Sequence, residues 1–315
     1  MNTKRNRMKS FCTALLLIFL NVSVSAQQDP QYSMYMFNQI GVNPAYAGTV
    51  DALSSVFFYR NQWTGMEGSP VTEVFNIHTP IRSERMGVGL QFVEDKLGPT
   101  RTTSVLATYS YKVKLRKGKL SFGLSGGLMD QVIDYSLIDY KDKTDAFASL
   151  GSQGKAMPTF DFGIYYYTRS FYIGLSFTHI NQPAYNGFVK DSASRTVYGM
   201  IRKHNFITIG KVWVLNDNLS FRPSLLLKTV NGAPGSLDLD ASFLVRKVLW
   251  LGLTLRSAGS LAFIAQYTIQ DRIRIGYAYD WNFAGIGVYA PASHELFLGY
   301  DLNIYKSKTL STRYF

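Results

Sequence analysis

Cysteine is almost absent: Cys12 is the single example in 315 residues, and it lies in a segment that reads as a removable leader. Without it, disulfide staples and thiolate chemistry are excluded. Histidine is scarce too. His78, His179, His204 and His294 stand alone, with no H-E-x-x-H and no metal-ligand spacing. Zinc is disfavoured where thiolates are missing. No glycine-rich phosphate loop precedes a helix, so no cofactor is expected. Charged residues make up 17% of the chain, below the roughly 25% of an ordinary soluble domain. A mean hydropathy of −0.03 argues against a helical membrane protein. It leaves a barrel open, because the inner face of a barrel is polar.

What is plentiful is aromatic: 21 Tyr and 21 Phe. Phe160, Phe162, Ile164 and Tyr166 alternate with Asp161, Gly163, Tyr165 and Tyr167. After Thr168-Arg169-Ser170 the pattern resumes, with Phe171, Ile173, Leu175 and Phe177 against Tyr172, Gly174, Ser176 and Thr178. Strand side chains change face at every residue, so each run has one oily face and one small or polar face. The short connection makes the pair an antiparallel hairpin. A bilayer asks for tilted strands of about 9–11 residues, and this unit recurs along the chain.

Fourteen strands are expected, over residues 51–61, 71–80, 86–94, 100–115, 119–134, 158–167, 171–178, 204–214, 219–230, 236–246, 248–256, 260–269, 272–280 and 294–302. Alternation alone also fits a soluble β-sandwich. Connection lengths separate the two. Every long connection is odd-numbered, such as 135–157 and 179–203, whereas the even-numbered ones are short. Outer-membrane barrels sort their loops in this way, with short periplasmic turns and long external loops. The fold class expected is all-β, an outer-membrane antiparallel β-barrel of about 14 strands with an irregular N-terminal segment.

Residues 1–26 read as a signal peptide. Lys4, Arg5, Arg7 and Lys9 precede the apolar run Phe11–Leu20, and Val24-Ser25-Ala26 is a small-residue cleavage site. Removing those four cations lowers the formal net charge from +12 to +8. With a secretory leader, the basic balance does not point to nucleic acid. Several cations fall in tight turns, where solvated charge is the ordinary reading. Residues 27–50 break the alternation at Pro30, Asn43-Pro44 and Gly48, and are expected to fold into the barrel mouth as a plug or docking segment. Residues 51–302 form the barrel, and 303–315 a polar tail with Lys306, Lys308 and Arg313.

Catalytic signals are weak. Gly123-Leu124-Ser125-Gly126-Gly127 matches G-x-S-x-G, but lies inside a strand and not at a strand-to-helix elbow. Asp238 and Asp240 share a face, as lumen electrostatics would have them. Inward charges of both signs, among them Arg222, Lys228, Arg256, Arg274 and Asp280, could close a narrow lumen or line a wide pore.

Three stretches carry a resemblance: Gln28-Asp29-Pro30-Gln31-Tyr32-Ser33, Tyr35-Met36-Phe37-Asn38 and Asn43-Pro44-Ala45-Tyr46-Ala47-Gly48. With Arg60-Asn61-Gln62-Trp63, Gly68-Ser69-Pro70, Gly87-Val88-Gly89-Leu90 and His294-Glu295-Leu296, they resemble the PorP/SprF family of outer-membrane proteins. That family is associated with the type IX secretion system and gliding motility of Bacteroidetes. Asn38-Gln39 departs from it, since Pro more often follows the Asn. The resemblance implies a non-enzymatic barrel in the cell outer membrane, without cofactor or metal. Its partners would be outer-membrane lipid, a secreted cargo protein or its C-terminal domain, and periplasmic type IX secretion or peptidoglycan-binding components. Candidate partner-binding residues are Gln31, Tyr32, Tyr35, Met36, Phe37, Asn38, Asn43, Pro44, Tyr46 and Trp63. Tyr185, Asn186, Trp281 and Phe283 would furnish an external platform. A diffusion porin or small-solute channel is the competing function.

Overall fold

In the computed structural model, residues 29–81, 85–142, 144–190 and 196–303 are described. The expected leader and most of the tail lie outside them. The strands are β1 (Leu53–Asn61), β2 (Val71–Ile81), β3 (Met86–Leu97), β4 (Thr100–Lys114), β5 (Lys119–Asp134), β6 (Ser152–Tyr167), β7 (Phe171–Thr178), β8 (Ala184–Lys190), β9 (Thr196–Met200), β10 (His204–Lys211), β11 (Trp213–Asn216), β12 (Leu219–Val230), β13 (Ala233–Val245), β14 (Leu249–Arg256), β15 (Ser260–Ile269), β16 (Ile273–Asn282) and β17 (Ala292–Leu302).

Strands adjacent in the wall pair antiparallel, in sequence order except where β7 meets β10, and β1 pairs with β17 to close the ring. β10 bonds to β7 on one side and β12 on the other. β11 continues β10 after Val212, so the two make one wall position. The result is a closed barrel of fourteen strand positions, as the alternation and loop lengths indicate.

Burial follows the two-residue period. In β17, Glu295 and Phe297 are buried, while Leu296, Leu298 and Tyr300 are exposed. In β6, Asp161, Tyr165 and Tyr167 face in, and Phe160 faces out. Apolar side chains on the outside and polar ones within invert the soluble arrangement, which is what lipid demands. Tight turns at the short-loop end use the left-handed conformation. Arg246 and Lys247 have φ of 49° and 62°, and Gln270 and Asp271 have 49° and 56°. Such pairs match the twist of a hairpin, the more usual glycines being absent here.

Several strand ends differ from expectation by two or more residues, and three differences change the picture. β6 starts at Ser152, not 158, because backbone pairing continues above the lipid, where nothing enforces alternation; Lys155 opposes Gln131 there. The long 179–203 connection contains the β8–β9 hairpin. Trp281, expected in a loop, lies in β16.

Candidate functional site

The barrel is filled by its own N-terminal segment. Residues 29–50 form a strap rather than a strand, and three short 3-10 turns explain why: Tyr35–Phe37, Gln39–Gly41 and Pro44–Tyr46. Asn43 caps the last, its side chain accepting from Ala45 N at 2.9 Å, with Pro44 at the first helical position. The amide oxygen satisfies a free N–H, and proline presets φ.

The strap crosses the lumen from end to end. Asp29 meets His179 after β7 and His204 at the start of β10, both at the long-loop rim. Gly48 meets Lys112 and His78 near the short-turn rim, its carbonyl accepting from Lys112 Nζ. Expectation put the segment at the mouth; the polar inner wall draws it through the whole barrel.

A charged cluster holds the strap in the long-loop half of the barrel, near the loop-side ends of β1, β12, β14 and β16. Glu295 accepts from Ser33 N at 2.8 Å and Met34 N at 2.9 Å. Arg60 bridges Glu295 and Asp280, each at 2.7 Å, and Ser33 Oγ donates to Asp280 at 2.6 Å. Beside it, Arg256 and Lys228 pair with Asp238. Lys228 Nζ reaches Gln31 Oε1 at 3.3 Å, and Arg256 Nη2 reaches Tyr32 O at 3.5 Å. Arg60, Arg256 and Lys228 thus balance Asp238, Asp280 and Glu295. Buried charges are tolerable on such terms only, with opposite partners and hydrogen bonds in place.

Apolar contacts flank the cluster. Met34, Tyr35 and Met36 pack with Phe58 and Phe297 in one buried group. Phe37 lies 5.7 Å from Phe297 and 6.4 Å from Trp250. The Arg222 guanidinium sits 4.1 Å over Trp250 and 5.2 Å over Phe37, a desolvated cation–π arrangement. Tyr46 meets Tyr165 and His78 edge to face, at 5.6 and 5.5 Å.

The opposite wall carries a run of glycines among its inward side chains. Gly87, Gly89, Gly123, Gly163 and Gly174 face in from β3, β5, β6 and β7. A methyl group at Gly87 would overlap Ala47 O; at Gly123, Ala45 N; at Gly163, Asn43 Oδ1. The small inner face visible in the sequence is therefore the track on which the strap lies, because only glycine admits backbone that closely. Asn43 Nδ2 donates to Ile164 O at 3.0 Å, and Ser176 and Ser110 donate to strap carbonyls of Val42 and Ala47.

At the mouth, burial alone would raise Asp29, but the neighbouring His179 and His204 outweigh it and hold the carboxyl well below its usual range. Burial opposes charge on His179, yet Asp29 beside it and Asp161 lift it to about 9. Among the cavities beside the strap, two stand out. One of about 150 Å3 is lined by Tyr35, Val93, Met129, His204 and Lys228. The other, of about 120 Å3, is lined by Phe37, Tyr46, Trp250 and Arg274.

Of the ten candidate residues, nine lie on the strap. Tyr35, Met36, Asn38, Asn43, Pro44 and Tyr46 are buried; Gln31, Tyr32 and Phe37 are half-buried. Asn38 Oδ1 accepts from Asn76 at 2.5 Å. Trp63 is apart from them, in the β1–β2 loop, with φ of 54° and its N–H on Ser293 Oγ. Sequence reasoning did not single out Arg60 and Glu295 as a pair, although both stand in stretches that carry the family resemblance. Ser125 bonds Thr108 at 2.7 Å inside β5, with no elbow. Asp240 is occupied by Ser242, Thr254 and Ser224. Among the described residues no group of His, Cys, Asp and Glu is placed to hold a metal ion.

A family profile described as "Type IX secretion system membrane protein PorP/SprF" matches residues 24–300. No curated protein matches. Similar solved structures include a Pseudomonas aeruginosa FadL homologue, at 11% identity and TM-score 0.48 over 84% of this chain and 93% of that one. The Ralstonia pickettii toluene transporter TbuX aligns at 12% identity and TM-score 0.47, over 84% and 92%. The CymD monoaromatic hydrocarbon channel aligns at 11% and 0.48, over 84% and 91%.

Proposed function

The chain belongs to the PorP/SprF family of type IX secretion system membrane proteins, and from that premise we propose that it works without catalysis, supporting secretion or surface anchoring of large cargo proteins through protein contacts. It resides in the outer membrane. Short turns then face the periplasm and long loops the exterior.

The filled lumen carries this reading. A diffusion channel needs a continuous water path. Here the strap occupies the bore, with backbone bonded to both walls and cavities of about 150 and 120 Å3 on either side. A barrel closed in this way has its loops and rims to offer, which suits a docking component. Gln31 and Tyr32 at the outer end of the strap, Trp63, and the loops bearing Phe283 would form the cargo side. Periplasmic secretion or motility components would meet the other rim.

The experiment is deletion of residues 31–48, with cargo secretion and surface retention measured after folded barrel has been verified in the outer membrane. Loss of display together with a silent wild-type protein in planar bilayers supports the docking role. Unchanged display, or steady conductance of the intact protein, would overturn it in favour of a channel.

A further inference from the structure

Resting on that reading, we infer that the free edge of β11, at the short-turn rim, receives an extended acidic segment of a periplasmic protein as an added β-strand.

The edge arises from a step in the wall. β10 ends at Lys211 opposite Phe171, the first residue of β7. Beyond it a single bond remains, from Val212 N to Ser170 O at 2.7 Å. The 168–170 turn then leads away to β6. β11 runs on for four residues, paired with β12 alone. At about 3.3 Å per residue it stands roughly 13 Å past its neighbour. Strand N–H groups alternate sides, so the Val214 N–H points the way Val212 does, where no strand of the described residues follows.

Such an edge is normally blunted by proline, inward charge or a covering loop. Among the described residues, none of these lies along the free side of β11. Trp213 already serves at the membrane surface, stacking on Phe221 at 5.8 Å under the Lys211 ammonium, as girdle aromatics do. Val214 has no such role and is 64% exposed. A strand laid alongside would pair its backbone and cover that side chain, which is how β-augmentation divides affinity from specificity.

The charge selects the occupant. Arg169 and Lys211 flank the step, both exposed. The turn that follows β11 carries Asp217, and the neighbouring turns carry Arg116, Lys117, Arg246, Lys247 and Arg272 against Asp271, so cations prevail at this rim. An acidic strand suits this rim. Residues 304–315 of the chain itself carry Lys306, Lys308 and Arg313 and no acid, so like charge opposes them. Lipid phosphates would meet the cations but have no use for alternating N–H and C=O groups.

The test uses the full-length barrel in neutral detergent and two fluorescent strand peptides of alternating Thr and Val, one bearing Glu at its ends and one bearing Lys. The Glu peptide is expected to bind about 10-fold more tightly, and less so as salt rises. Val214→Pro should abolish binding while Val214→Thr keeps it. Proline is admissible on an edge strand, and this N–H is not used toward β12. Arg169→Glu with Lys211→Glu leaves the backbone alone and should reverse the preference, which covers the case in which the proline variant does not fold. Equal binding of both peptides, or binding indifferent to Val214→Pro, would overturn the proposal. So would competition by phosphatidylglycerol micelles as strong in Val214→Pro as in the wild type, which would mean lipid. Binding seen only after removal of residues 304–315 would make the tail the occupant. The assay reads the rim alone, so its failure leaves the strap-deletion result and the cargo reading standing.

Discussion

Arg60 on β1 and Glu295 on β17 meet at 2.7 Å across the strand pair that closes the barrel, and the same carboxylate takes the backbone N–H groups of Ser33 and Met34. One ion pair therefore both seals the ring and fastens what lies inside it. The side chains of Arg60 and Glu295 are 2% and 0% exposed, so neither charge can fall back on water. Arg60→Met strands two carboxylates and should cost about 3–5 kcal/mol. Glu295→Gln keeps an acceptor for the strap and should cost less, about 1–3 kcal/mol. The double variant should lose less than the two added, because each single change leaves the other partner unpaired. The temperature at which the folded band converts to the unfolded one in gel electrophoresis measures all three.

The glycine track gives a second expectation, aimed at the strap and not at the ring. Gly163→Ala and Gly123→Ala place a methyl group on Asn43 Oδ1 and on Ala45 N. The outer faces of β5 and β6 are untouched, so the barrel should assemble. The strap should then lift, appearing as protease cleavage within residues 31–48 and as conductance absent from the wild type. Gly126→Ala is the control, since its added methyl group meets the Phe160 ring at 3.2 Å on the outer face. Cleavage and conductance at wild-type level in the track variants would show that the strap is not held by that close approach.

These two sites show how far the sequence could be read. Alternation and loop parity sufficed for the ring, because lipid on one side and polar groups on the other impose a two-residue period on every strand. Gly163 and Gly174 were visible as members of a small face, but smallness does not say what lies against it. Arg60 and Glu295 are 235 positions apart, and their meeting depends on first and last strands closing. Asn43-Pro44 announced a turn, and Asn43 does cap one, but its bonds to Ile164 and Leu175 needed the fold. The β11 edge was hidden inside a single expected strand, 204–214, since the break at Val212 comes from where β7 starts and not from any residue in β11.

The outer end of the strap should respond to pH. His179 is lifted to about 9 from an ordinary 6.5 by Asp29, which outweighs its burial. A raised folded-state value means the protonated form is favoured by folding. Its stabilisation is therefore complete below about 6.5 and is lost as pH climbs through 9. Asp29 works in the opposite sense. Its carboxyl is held low, so its contribution is present above the ordinary carboxylate range and lost only in strong acid. Between the two, from about pH 5 to 7, the Asp29–His179 contact is fully charged. His179→Gln should lower the melting temperature most in that window. The gap to the wild type should shrink through pH 8–9 and close by about pH 10, once the wild-type imidazole is neutral as well. Asp29→Asn should open a similar gap with the same high-pH closure, because it removes the other half of the same pair. A gap that stayed constant from about pH 6 to 10 would show that His179 acts through its Thr159 hydrogen bond at 2.8 Å and its packing against His204, and not through charge.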